Sequence, residues 1–176
     1  MTYFVIFCLL IFLGVMFYLD ILQSFVGKAG SDYREGLVIV PIILIANMFY
    51  GIVFNLSIWF KLSDKTFYGT IITIIGSFVT LTCFFVLIPK IGYMGAAIAH
   101  LACYTVMMLV SYFWGQKVFP IPYQVGRIAI YCLLAIVLFA ISNTITEYSM
   151  MIKMIVNTIM IIMFMIIVVM SERKNP

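Results

Sequence analysis

The chain has 176 residues, of which 66% are hydrophobic and 9% are charged, with a net charge of +4 and a mean hydropathy of +1.24. A water-soluble domain carries about 25% charged residues, so this composition excludes a soluble globular protein. The polar side chains are too few to cover a fold of this size, and we therefore expect the chain to fold in a lipid bilayer.

Six apolar stretches come close to the ~20 residues that a membrane-spanning helix needs. Solidly apolar runs such as Val38 to Ile45 exclude the alternating pattern of a membrane β-barrel. The sequence therefore predicts an all-α, polytopic membrane protein in which residues 1–176 form one bundle. The six predicted transmembrane helices are Tyr3–Leu19, Leu37–Phe60, Phe67–Ile88, Tyr93–Trp114, Ile128–Thr146 and Met154–Met170.

The distribution of charge bears on topology. A first transmembrane helix usually carries flanking Lys or Arg, but residues 1–19 contain no charge, so we expect Met1 to be an internal methionine of a longer chain. Six of the ten basic residues fall on the side of the bilayer that holds both termini. The positive-inside tendency therefore predicts both termini in the cytoplasm.

Small residues at four-residue spacing mark two successive helices for close packing, because they let backbones approach each other in lipid. They are Gly69, Thr73 and Ser77 in the third helix and Gly95, Ala99 and Cys103 in the fourth. We predict that these helices pack together and that Pro89–Gly92 forms a tight turn between them.

One face of the second helix carries Asn47, Gly51 and Asn55 at i, i+4 and i+8. An asparagine amide facing lipid tails would leave its hydrogen-bonding groups unpaired, so this face is predicted to meet protein or a hydrated cavity. Hydrogen bonding between helices and a place on a substrate path are both open. Pro41, near the start of this helix, permits a bend.

His100 is the only ionisable residue near the middle of a predicted span. Such residues are functional candidates in membranes, although a neutral imidazole bonded to a neighbouring hydroxyl would be purely structural. Arg34, in a charged loop, is a candidate for contact with an anionic substrate. Lys61 and Lys65 are candidates for contact with phosphate at the membrane interface, or for anchoring a helix end at an anionic leaflet.

Several classes of protein are excluded by what the sequence lacks. It contains no zinc-protease, nucleophile-elbow or phosphate-loop motif, and one histidine cannot build a two-histidine metal site. We therefore expect no enzyme, no metal and no cofactor, and no nucleic-acid partner. The four cysteines fall within predicted helices as small apolar side chains, and Trp59, Tyr112 and Trp114 are predicted to mark membrane boundaries.

Two stretches carry a more specific pattern. Residues 33–66 read YREGLVIVPIILIANMFYGIVFNLSIWFKLSDKT, and residues 86–100 read VLIPKIGYMGAAIAH. Within residues 20–125 the chain resembles the C-terminal region of bacterial polysaccharide and lipopolysaccharide flippases of O-antigen type. These belong to the multidrug/oligosaccharidyl-lipid/polysaccharide exporter superfamily, whose members have a MATE-like fold.

The resemblance implies a two-lobed carrier in the bacterial inner membrane that works by alternating access. Its substrate would be an undecaprenyl-diphosphate-linked oligosaccharide, flipped for surface polysaccharide or lipopolysaccharide synthesis. Because six helices are fewer than two lobes need, the N-terminal lobe is expected to be absent, and we expect these 176 residues alone to be inactive. His100 stands where the resemblance leads us to expect Thr or Ser, so the family implies no proton role there.

Two alternatives stay open. The chain could be a small-molecule or drug exporter of the same superfamily, which acidic residues inside the helices would favour, but the predicted helices contain none. It could instead be a small structural membrane protein that completes itself with a second copy. Membrane lipid is an expected partner in every case.

Overall fold

A computed structural model describes residues 1–19, 36–118, 120–144 and 150–173. Most of the described residues are helical, and they form a short 3₁₀ helix at Leu37–Ile39 and seven α-helices. We number these α1 (Thr2–Phe17), α2 (Val40–Leu56), α3 (Ile58–Leu62), α4 (Phe67–Ile91), α5 (Tyr93–Val118), α6 (Val125–Thr144) and α7 (Met150–Arg173).

Five helical segments of the described chain are long and apolar enough to cross a membrane, consistent with a polytopic membrane protein. The segments are Leu37–Leu62, Phe67–Ile91, Tyr93–Val118, Val125–Ser142 and Lys153–Arg173. The sequence predicted a sixth at Tyr3–Leu19. There α1 covers 16 residues and ends at Phe17, which is shorter than the ~20 residues of a typical span, and residues 20–35 lie outside the described part.

The chain divides into two compact units. The first, which we call the four-helix unit, comprises residues 30–123 with Met1 and holds α2 to α5. The second, the three-helix unit, comprises residues 2–29 and 124–176 and holds α1, α6 and α7.

In the four-helix unit, α5 packs against both α4 and α2. Glycine makes the first contact close: a Cβ atom added to Gly95 would lie 2.7 Å from the carbonyl carbon of Leu87 in α4. At the other contact point of α4, an added Cβ on Gly76 would lie 2.5 Å from the Met107 sulfur. The two backbones therefore come into direct contact at Gly95, whereas at Gly76 the Met107 side chain fills the space that the missing Cβ leaves.

The predicted turn at Pro89–Gly92 is wrong in its extent. The helix α4 continues through Pro89 to Ile91, and the reversal takes place at Gly92, whose φ of 57° suits a residue without a side chain. Proline in the last turn removes only one N–H from the helical ladder, so the helix tolerates it there.

The start and end of the second predicted helix are irregular for local reasons. The 3₁₀ helix Leu37–Ile39 leads directly into α2, and Pro41 lies in the first turn of α2, where a missing N–H costs no helical hydrogen bond. At the far end, the Ser57 hydroxyl donates to the Phe54 carbonyl at 2.6 Å and interrupts the helix before α3.

In the three-helix unit, α1 packs against α6 and α7, which also contact each other. A buried polar cluster joins the three helices. The Asn157 amide nitrogen donates to the Phe17 carbonyl at 3.0 Å, and its amide oxygen accepts from the Ser142 hydroxyl at 2.8 Å. Asn157 is 1% exposed, so these bonds replace the water that the amide has lost.

Candidate functional site

The predicted small-residue contact between α4 and α5 is partly different in the structure. Gly95 and Ala99 are buried at the α5 side of it, together with Cys103. Thr73 and Ser77, in contrast, are exposed, and α4 buries Ile72 and Gly76 instead. Gly76 leaves the space that Met107 and Cys103 fill, and the Cys103 thiol donates to the Gly76 carbonyl at 3.3 Å.

Gly69, the third member of the predicted α4 stripe, contacts α3 and not α5. An added Cβ there would lie 2.9 Å from the Phe60 ring. The Thr73 hydroxyl donates to the Gly69 carbonyl one turn back at 2.9 Å, which satisfies it within its own helix. Gly69 therefore lets α3 pack closely against α4, and Thr73 makes no hydrogen bond to another described helix.

Trp59, which the sequence predicts to mark a membrane boundary, lies in α3 and is fully buried within the four-helix unit. Its indole packs on Gly115 of α5, where an added Cβ would lie 2.9 Å from Nε1. The indole N–H and the hydroxyl of buried Ser111 have no hydrogen-bond partner within the described chain. Trp59 thus packs α3 against α5.

The Asn47–Gly51–Asn55 face is only partly covered by protein. The Asn55 amide is half-buried and donates to the Gly51 carbonyl of its own helix at 3.0 Å. Asn47 is exposed, and none of the described residues forms a hydrogen bond with its amide. Neither asparagine therefore makes a hydrogen bond between the described helices.

His100 is also exposed, and aromatic rings surround it. Its ring centroid lies 6.0 Å from that of Phe84 on α4 in an edge-on arrangement, and 5.9 Å from that of Tyr104, one turn further along α5, in a stacked one. No hydroxyl group of the described chain is hydrogen-bonded to the imidazole. The structural role that the sequence left open, a hydrogen bond from a neighbouring hydroxyl, is therefore not seen within this unit.

Aromatic contacts connect His100 on α5 to Tyr50 on α2, the helix that carries Asn47. The rings of Tyr50 on α2 and Tyr104 on α5 are 4.9 Å apart. Both helices run towards the end where Trp59 meets Gly115, so Asn47 and His100, each about one turn before its tyrosine, lie at a similar depth. We call the surface formed by Asn47, Tyr50, Phe84, His100 and Tyr104 the histidine face.

The basic candidates lie at one end of the four-helix unit or outside the described residues. Lys61 and Lys65 are both exposed, in α3 and in the turn that follows it. The Lys61 ammonium lies 4.8 Å from the centroid of the Phe54 ring, a cation–π arrangement. Arg34 lies outside the described residues.

The sequence predicted only two of the five residues of the histidine face as functional candidates. Asn47 and His100 stood out as polar residues in apolar helices, whereas Tyr50, Phe84 and Tyr104 look like ordinary apolar positions. The spacing of four between His100 and Tyr104 was the one local signal. Within the described residues, no three of the side chains of His, Cys, Asp or Glu cluster in a way that could hold a metal ion, and the four cysteines are free.

No protein-family model, curated protein or solved structure matches this chain significantly.

Proposed function

We propose that this chain supplies six spans of a MATE-like, two-lobed carrier that flips undecaprenyl-diphosphate-linked oligosaccharides across the bacterial inner membrane. In this proposal both termini are cytoplasmic, and the chain supplies surface polysaccharide or lipopolysaccharide synthesis without catalysing a reaction. The proposal is supported by the resemblance of residues 20–125 and, above all, by the exposed polar groups of the histidine face.

The argument starts from the cost of polar groups in hydrocarbon. Asn47 and His100 lie within candidate spans, are exposed and lack hydrogen-bond partners in the described chain. An unpaired amide or imidazole in lipid costs on the order of 2 kcal/mol or more, so such residues normally face protein or water. The histidine face is therefore better suited to a hydrated cavity or to a second protein surface than to lipid.

A carrier of lipid-linked sugars needs such a surface. The oligosaccharide must cross the bilayer while its hydroxyl groups remain hydrogen-bonded, and Asn47 and His100 offer donors and acceptors in mid-span. Tyr50 and Tyr104 add aromatic faces with polar hydroxyl groups, on which a sugar ring can pack. The opposing wall of the cavity would come from an N-terminal lobe or from a second copy of the chain.

The proposal predicts a defined defect in cells. When the gene for this chain is deleted, we expect undecaprenyl-diphosphate-linked oligosaccharide to accumulate and surface polysaccharide to disappear. When the full-length gene, with the opposing lobe included, carries Asn47→Leu or His100→Leu, complementation should restore at least tenfold less surface polysaccharide than with the wild-type gene. The matched control is Ile43→Leu, one turn from Asn47 on the same exposed side of α2, which should complement fully.

Membrane levels of each variant, measured by immunoblot, separate loss of transport from loss of protein. Unchanged surface polysaccharide in the deletion strain, with no accumulation of the lipid-linked precursor, would contradict the proposed function. Full complementation by both polar variants at wild-type levels would remove the histidine face from the substrate path.

A further inference from the structure

A second surface feature of the four-helix unit adjoins the histidine face, with which it shares Tyr50. A groove of about 240 Å³ opens between α2, α3 and α4, with α5 at its base. Its apolar lining comes from Val53, Phe54, Phe60, Ile72 and Met107. The hydroxyl groups of Ser57 and Thr73 also line it, but each already donates to a carbonyl of its own helix. The groove is therefore suited to an apolar chain.

A positive charge stands at the edge of this groove. Lys61 belongs to its lining, and the Lys61 ammonium is held 4.8 Å from the centroid of the Phe54 ring. No carboxylate of the described chain forms an ion pair with Lys61. The ring positions the ammonium while leaving it free to meet an anion.

Most of the charged residues near Lys61 are also positive. Lys65 lies in the turn after α3, and Lys117 lies in the last turn of α5, at the end where Trp59 contacts Gly115. Asp64 is the only acidic residue in the described part of this unit. This end of the helices thus carries a net positive charge at the depth where lipid headgroups lie.

We propose that the groove binds an anionic phospholipid, with one acyl chain along its apolar lining and the phosphate on the Lys61 ammonium. Charge complementarity selects this occupant: a zwitterionic lipid gains less from a cluster of three lysines with one aspartate. The inference does not depend on the transport proposal, because it concerns a lipid held at the membrane interface and uses neither Asn47 nor His100.

Photo-crosslinking tests the groove directly. The full chain is purified into nanodiscs that contain a trace of either phosphatidylglycerol or phosphatidylcholine with a diazirine in its acyl chain. We expect labelled peptides to contain Phe54, Phe60 or Met107, with about fivefold more label from phosphatidylglycerol, the preference that corresponds to roughly one basic side chain at an anionic surface. Equal labelling by the two lipids, or labels mapped elsewhere, would overturn the proposal.

Two pairs of variants separate the headgroup from the acyl chain. Lys61→Gln should abolish the preference for phosphatidylglycerol, whereas Lys90→Gln, with the same loss of charge at the opposite end of α4, should keep it. Thr73→Trp should fill the groove and lower labelling by both lipids severalfold. Its control is Ser77→Trp, one turn along α4 at an exposed position outside the groove, which should not.

Circular dichroism and gel filtration of each variant show that the chain is folded before labelling is compared. A folded Lys61→Gln variant that keeps the full preference would overturn the headgroup contact. If folded Thr73→Trp is labelled like the wild type at the same peptides, the acyl chain does not occupy the groove.

Discussion

At the scale of single residues, Gly95 marks the place where the backbones of α4 and α5 approach each other closely. A Cβ atom there would lie 2.7 Å from the backbone of Leu87, so Gly95→Ala must push α4 and α5 apart. We expect this variant to lose about 1 to 3 kcal/mol of unfolding free energy, the usual cost of overpacking. The measurement is reversible unfolding in detergent micelles, followed by circular dichroism.

Gly36→Ala is the matched control for Gly95→Ala. Gly36 has a helical φ of −63°, and nothing lies within 4 Å of the position that a Cβ would take. Gly36→Ala should therefore leave the unfolding free energy unchanged or raise it slightly. Equal stability of Gly95→Ala and the wild type would show that the contact between α4 and α5 has room for a Cβ atom at this position.

The small residues show how far sequence spacing can predict packing. The spacing places Gly95 and Ala99 on one side of α5, and both are buried. For α4 the same spacing predicted Thr73 and Ser77 at the contact, whereas the structure buries Gly76 there. Threonine and serine are small enough to lie either at a helix contact or on an exposed face. The side chains of Met107 and Cys103 on α5 decide that Gly76 takes the contact position.

At the scale of helices, Asn157 joins α7 to α1 and α6. Asn157→Leu would leave the Phe17 carbonyl and the Ser142 hydroxyl without these partners in a buried place. We expect it to lower the unfolding free energy by about 1 to 3 kcal/mol. Unfolding in detergent micelles provides the measurement.

Thr158→Val is the control for this element, since it removes the hydroxyl contact with Tyr18 at 2.6 Å, which is exposed. We expect Thr158→Val to lower the unfolding free energy by less than about 1 kcal/mol, because the Tyr18 hydroxyl that loses its partner is not buried in the core. If Asn157→Leu costs no more than Thr158→Val, the buried amide does not hold the three helices together.

Hydropathy predicts where the helices lie in the chain more accurately than it predicts the residues at which they end. The predicted Phe67–Ile88 and Tyr93–Trp114 begin where α4 and α5 begin. Both helices extend further, to Ile91 and Val118, because Lys90 and Lys117 end an apolar stretch without ending a helix. A lysine is a good helix former with a long apolar stem, so charge marks the membrane boundary and not the last helical residue.

At the scale of the whole molecule, the orientation of α4 can be measured from its two ends. If both termini are cytoplasmic, the turn before α4 faces the cytoplasm and Ile91 faces the outside. In a variant without the four native cysteines, we expect Ile91→Cys to react with a membrane-impermeant maleimide added to intact cells. Thr66→Cys should react only after permeabilisation, and the reverse result would invert the predicted topology.

The environment of the histidine face decides whether the chain belongs to a carrier. The proposed cavity is wet, and a cysteine thiol reacts with maleimide as the thiolate, which forms in water and not in lipid. In the assembled protein in its native membrane, Asn47→Cys should therefore react at least tenfold faster with a small water-soluble maleimide than Phe78→Cys. Phe78 is the matched position on α4, since it is 72% exposed and apolar. Equal, slow reaction at both positions would mean that the face is dry, and the carrier proposal would be wrong.

If Asn47→Cys instead forms a disulfide-linked dimer, a second copy covers the face, as self-assembly requires.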